Sequence, residues 1–198
     1  MSPVFESQAG QDRFVYGIAV AGEGRTSGTF LDIGCNDPVM RNNTYALEQA
    51  GWTGLLIDCE PLWAAAIKEK RRSPFVCGNA ENIDWSLVLA RHRMPITIDY
   101  LSFDVDGAGL TALKTLPWSS VRFRILTVEH DAYRFGDAVR QAMRVLLRQR
   151  KYELLCPDVM DAGCAFEDWY VDPLAVDMAV ADRFRTDGAT DWKSIVGL

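Results

Sequence analysis

The sequence has no G-x-G-x-x-G turn, no C-x-x-C pair, only two histidines and no apolar run near the ~18 residues a membrane span needs. Each absence removes a class. Without the triple-glycine turn, a pyrophosphate cannot be seated against a helix N-terminus in the manner of dinucleotide-binding oxidoreductases. Five unpaired-looking cysteines read as reduced thiols, and with no secretion-signal pattern this predicts a cytoplasmic location without membrane attachment. Positive charge is also scarce. A net charge of -6 and a pI near 5.0 argue against nucleic acid as the main partner, because phosphate backbones require a basic footprint.

What is present is a regular alternation of short apolar strands and helical stretches. Strands are predicted over Thr29–Ile33, Gly54–Ile57, Phe75–Cys77, Tyr100–Phe103, Ile125–Val128 and Tyr152–Cys156, with an added edge strand at Trp169–Val171. The intervening helices carry Asn or Asp caps and stop at Gly or Pro. This spacing predicts an α/β fold: a seven-stranded, mostly parallel sheet with helices on both faces and the last strand antiparallel. The 198 residues suit one domain, with 1–28 as an N-terminal helical segment and glycine-rich joint, 29–173 as the core and 174–198 as a tail. A helix around Gln11–Ala19 is expected to pack near the site.

In such sheets ligands bind beyond the carboxyl ends of the strands, and there the acids and amides gather. The first tip carries Asp32, Gly34, Asn36 and Asp37. The second carries Asp58 and Glu60, and the third Asn79 and Glu81. The fourth carries Asp104, Asp106 and Gly107, and the fifth Glu129, His130 and Asp131. Helix capping explains one such residue per loop, but not Asp-Val-Asp or Glu-His-Asp. A glycine turn followed by an acid at the next strand tip suits a nucleoside cofactor, with Asp58 on the ribose hydroxyls. Asp37 in that turn would repel a pyrophosphate but not a sulfonium, so S-adenosylmethionine fits better than NAD. Arg140, Arg144 and Arg148 read as a solvated stripe on the longest helix.

These residues resemble the FkbM-type S-adenosylmethionine-dependent methyltransferases. The resemblance covers roughly Ser7 to Pro173: Ser7-Gln8-Ala9-Gly10-Gln11-Asp12, Leu31-Asp32-Ile33-Gly34-Cys35-Asn36-Asp37, Asn43-Thr44-Tyr45, Gly51-Trp52-Thr53-Gly54, Leu101-Ser102-Phe103-Asp104-Val105-Asp106-Gly107 with Val128-Glu129-His130, and the tail segment Glu167-Asp168-Trp169-Tyr170-Val171. It departs from the family at Pro38, where a Gly is usual, and at Gly109, where a Glu is usual. It implies a Rossmann-like class I methyltransferase that methylates a hydroxyl of a small metabolite or sugar, with assembly into homo-oligomers left open. Asp32 and Gly34 would shape the cofactor turn with Asn36, Asp58 would hold the ribose, Asn79 to Glu81 would line the adenine, and Asp104 would stand near the sulfonium. His130, backed by Glu129 or Asp106, is the expected base. A divalent cation such as Mg²⁺ on Asp104, Glu129 and His130 is the alternative way to acidify the hydroxyl. Two competing classes are a nucleotide-dependent oxidoreductase and a non-catalytic Rossmann-like nucleotide-binding protein in which Pro38 and Gly109 mark a degenerate site.

Overall fold

The strands are set by aliphatic and aromatic runs that are buried on both sides, as parallel strands require. A computed structural model describes residues 3–198, so Met1 and Ser2 of the N-terminal segment lie outside the described residues. Along the chain run α1 (Gln11–Val15), β1 (Thr29–Ile33), α2 (Tyr45–Gln49), β2 (Thr53–Asp58), α3 (Ala64–Lys70), β3 (Phe75–Cys77), α4 (Trp85–Arg91) and β4 (Thr97–Phe103). There follow α5 (Gly109–Thr115), β5 (Arg122–Glu129), α6 (Ala132–Phe135), α7 (Asp137–Gln149), β6 (Glu153–Asp161), β7 (Cys164–Val171), α8 (Met178–Ala181), β8 (Thr190–Asp191) and α9 (Trp192–Val196). Beyond α1 the helix widens to π-type turns over Tyr16–Gly22, so the expected N-terminal helix is present but not uniform.

The sheet has eight strands in the order β3-β2-β1-β4-β5-β7-β6-β8, not the seven expected. Strands β1 to β5 are parallel, and β7 runs antiparallel between β5 and β6. The β6–β7 hairpin turns through Ala162 and Gly163, both at positive φ (49° and 84°), which is the twist a two-residue hairpin loop needs. The eighth strand comes from the segment expected to be a tail: Thr190 and Asp191 pair parallel with Val159 and Met160.

Because side chains alternate along a strand, the sheet divides the interior in two. Leu31, Ile33, Leu101, Phe103, Leu126 and Val128 face α4, α5 and α7. Phe30, Leu56, Tyr100 and Ile125 face α1, α2 and the C-terminal helices, where Phe14 stacks on Trp169 at 4.5 Å between ring centroids. The N-terminal and C-terminal segments thus close one face of the sheet. Among the described residues no helix is long and apolar enough to cross a membrane.

Candidate cofactor and acceptor site

The turn after β1 can be built only with glycine at position 34. Gly34 sits at φ 82°, and a Cβ there would lie 1.6 Å from the Asp104 carbonyl oxygen. The neighbouring backbones are laced together. Gly34 N–H donates to the Ile57 carbonyl and Asp104 N–H to the Ile33 carbonyl, each at 2.9 Å. Asn36 follows in the left-handed region at φ 50°, and its N–H donates to Asp58 Oδ2 at 2.8 Å. Glu60 N–H donates to Asp58 Oδ1, also at 2.8 Å. Both Asp58 oxygens are therefore oriented by backbone and keep one lone pair each for a ligand.

These tips enclose a crevice of about 340 Å³ lined by Gly34, Asn36, Asp58, Cys59, Glu60, Trp63, Asn79, Ala80, Asp104 and Asp106, among others. Its position beyond the carboxyl ends of β1 to β4 is where open α/β sheets bind ligands, and its volume lies in the range of small-molecule sites, roughly 300–1,000 Å³. Of the residues expected on the cofactor, Gly34, Asn36, Asp58, Asn79 and Asp104 line it. Asp32 and Glu81 do not. Asp32 lies beneath, 2% exposed, accepting a hydrogen bond from Thr44 Oγ1 at 2.7 Å, with burial raising its pKa to about 6. Glu81 donates its N–H to Asn79 Oδ1 at 2.8 Å and so fixes the amide that does line the crevice.

Two contributors were not singled out from the sequence. Trp63, just after β2, supplies an aromatic wall. Arg71, 6% exposed, pins the loop after β1. It donates to the Pro38 carbonyl at 3.2 Å, Asn42 Oδ1 at 3.0 Å, Thr44 Oγ1 at 3.0 Å and Glu48 Oε1 at 3.1 Å. At Gly109 a Cβ would come within 2.6 Å of Met143 Cε, the movable end of a flexible side chain, where α5 starts against α7.

At the fourth and fifth tips the Asp104 and Glu129 carboxyls share a hydrogen bond. Burial raises both pKa values. Glu129, which also feels the Asp104 and Asp131 charges, is pushed up to about 12. The pair therefore holds one proton at neutral pH. Opposite Glu129 in register is Glu167, which accepts a 2.7 Å hydrogen bond from Gln11 Nε2 and is pushed by burial up to about 8. Asp106 is largely exposed and paired with Arg134 Nη1 at 2.8 Å.

His130 does not join them, and this corrects the expected convergence of Asp104, Glu129 and His130. Adjacent strand residues point to opposite faces. The His130 ring lies on the α7 side, with Nε2 at 3.6 Å from Asp158 and 3.7 Å from Asp168, while Nδ1 accepts the Ala132 N–H at 3.1 Å. Burial lowers its pKa. The two aspartates are held by arginines of α7: Arg144 grips Asp168 through two 2.7 Å bonds, and Arg140 pairs with Asp158. Arg140 and Arg144 are thus not a solvated stripe. The expected metal set does not fit, since its histidine faces away from its carboxylates. Among the described residues the one three-ligand grouping is His130, Asp158 and Asp168, and guanidinium groups already neutralise those carboxylates.

Neither a protein-family model nor a curated protein matches the chain. Solved structures do. An rRNA methylase from Streptococcus thermophilus aligns with a TM-score of 0.52 at 12% identity, over 81% of this chain and 92% of that one. A TehB-like SAM-dependent methyltransferase from Corynebacterium glutamicum aligns with a TM-score of 0.51 at 15% identity, over 83% and 88%. At these identities the likeness is one of fold. The chain has the mostly parallel α/β fold of class I methyltransferases, extended here to eight strands.

Proposed function

We propose that this protein is an S-adenosylmethionine-dependent methyltransferase of the FkbM type, acting on a hydroxyl group of a small metabolite or sugar. The observation that carries the reading is the crevice over the tips of β1 to β4, where a glycine-only turn and a backbone-oriented Asp58 meet. The residues present fit the cofactor. Asp58 has free lone pairs for the ribose hydroxyls, Asn79, Ala80, Trp63 and Cys59 line the same crevice and would surround the adenine, and Asp104 supplies negative charge where a sulfonium would lie. When bound, that sulfonium supplies an electrophilic methyl group.

The chain's own task is positioning and proton removal. Orienting an acceptor oxygen in line with the methyl group can remove roughly 7–11 kcal/mol of barrier. As the new O–C bond forms, the hydroxyl proton passes to the carboxylate left in the Asp104–Glu129 pair, which replaces His130 as the base. Gln11 donates to Glu167, which stands opposite Glu129 in register. The test is transfer of labelled methyl from S-adenosylmethionine to hydroxylated small molecules, with products identified as methyl ethers by NMR. Cofactor binding without transfer to any acceptor would favour the non-catalytic nucleotide-binding alternative.

A further inference from the structure

The four residues of α6 follow closely on the tip of β5, and none of them is buried. Asp131 before the helix and Gly136 after it are both left-handed, at φ 46° and 85°, so the chain turns sharply into and out of α6 and sets it outside the core. Its aromatic side chains are left in water: Tyr133 is 57% exposed and Phe135 42%. Two aromatics so close together on so short a segment form an apolar surface that lacks a partner.

What holds α6 is the rim of the cofactor crevice. Arg134 Nη1 donates to Asp106 Oδ1 at 2.8 Å, and its guanidinium lies 5.0 Å over the Phe135 ring. A Cβ on Gly107 would lie 3.2 Å from Phe135 Cζ, so that ring rests on the turn after β4. Asp106 and Ala108, on either side of Gly107, line the crevice. Tyr133 in turn feels the charges of Asp131 and Glu129. The two rings therefore stand by the crevice rim and by the carboxyl pair, and an acceptor must reach both the methyl group and that pair.

The base narrows the class of acceptor. A carboxylate is a weak base, and a proton passes to it most readily from a hydroxyl that is already acidic. An aryl hydroxyl ionises at about 10, as tyrosine's does, whereas aliphatic hydroxyls resemble water, at about 15.7. A planar ring also offers the π-face and edge that aromatic side chains pack against.

We infer that the acceptor is an aryl hydroxyl compound whose ring packs against Tyr133 and Phe135 of α6. This rests on the methyltransferase reading and names the acceptor class within it.

The test uses protein saturated with S-adenosylhomocysteine and titrated, under amide-resolved NMR, with p-cresol, with methylcyclohexanol as its saturated counterpart, and with methyl glucoside. The aryl probe is expected to bind ~5-fold more tightly than the saturated alcohol, the worth of one aromatic pair, with shifts concentrated over Ala132 to Gly136. The glucoside is expected to bind more weakly than either. Tyr133→Leu combined with Phe135→Leu should erase the preference and leave S-adenosylhomocysteine affinity unchanged. Arg134→Ala, which frees α6 from Asp106, serves the same purpose if the double variant does not fold. Equal affinities, tighter binding of the alcohol or the glucoside, silence at those amides, or a preference that survives the variants would overturn the inference. Failure of the methyltransferase reading shows separately, as absent S-adenosylhomocysteine binding in a calorimetric titration run first. The probes are then run on the free protein and judged by the same outcomes.

Discussion

Gly34 and Asp104 touch backbone to backbone, leaving 1.6 Å between the position a Cβ would take and the Asp104 carbonyl oxygen. That contact brings the first and fourth strand tips together and makes the crevice floor. Gly34→Ala must displace one of the two strands, and at φ 82° it is strained besides. The expected outcome is loss of S-adenosylhomocysteine binding with a lowered melting temperature, measured by calorimetry and thermal denaturation on the same sample.

Arg71 is the buried tie beneath the loop after β1. Arg71→Met would leave Glu48 without its guanidinium partner, 3.1 Å away in the folded protein, and breaking a buried ion pair this way costs about 3–5 kcal/mol. Urea denaturation should show that loss as a shifted midpoint with an unchanged slope.

The two residues that the sequence places side by side, Glu129 and His130, should behave differently. Asp104→Asn is expected to lower turnover by roughly 10²–10⁴-fold, the range for losing a general base, and Glu129→Gln to lower it less, since Glu129 carries the pair's proton and only orients that carboxylate. His130→Ala should leave turnover nearly intact and reduce stability, since its ring lies between Asp158 and Asp168. Steady-state rates paired with melting curves separate the two, and an inactive but fully stable His130→Ala enzyme would restore the histidine as the base.

Glu167 links the site to pH. Burial raises its pKa from 4.5 to about 8. Between those values the folded state holds a proton that the unfolded state releases, so stability is fullest below pH 4.5 and declines as pH rises to about 8. Glu167→Gln should therefore be more stable than the wild type at pH 8, and the difference should vanish toward pH 4.5. Melting temperatures across that range check the sign.

Most of the sheet was legible because its parallel strands are short apolar runs between helix caps: β1 and β3 run over the residues their sequence predicts. The hairpin was not. Pro157 and the bulges around Asp158 break the alternation that would have shown β6 continuing to Asp161. That omission hid the network around His130, since Asp158 and Asp168 reach Arg140 and Arg144 only through the extended hairpin. The acids at the strand tips were visible, but which face each one takes depends on register, and a histidine one residue from a glutamate looks nearer in sequence than it is in space. Arg71 and Trp63 gave no motif signal, since a basic helix end and a lone tryptophan after a strand are common in solvated and core positions alike.

The most direct measurement is a calorimetric titration of the purified protein with S-adenosylhomocysteine and with NADH, repeated on Asp58→Ala. Asp58 lines the crevice with both oxygens oriented by 2.8 Å backbone bonds, and would meet the ligand through its remaining lone pairs. The account predicts binding of the homocysteine compound and none of NADH. It also predicts a loss of roughly one to two orders of magnitude in the variant, corresponding to about 1.5–3 kcal/mol of charged hydrogen bonding. Preferential NADH binding, or an affinity that Asp58→Ala leaves untouched, would contradict it.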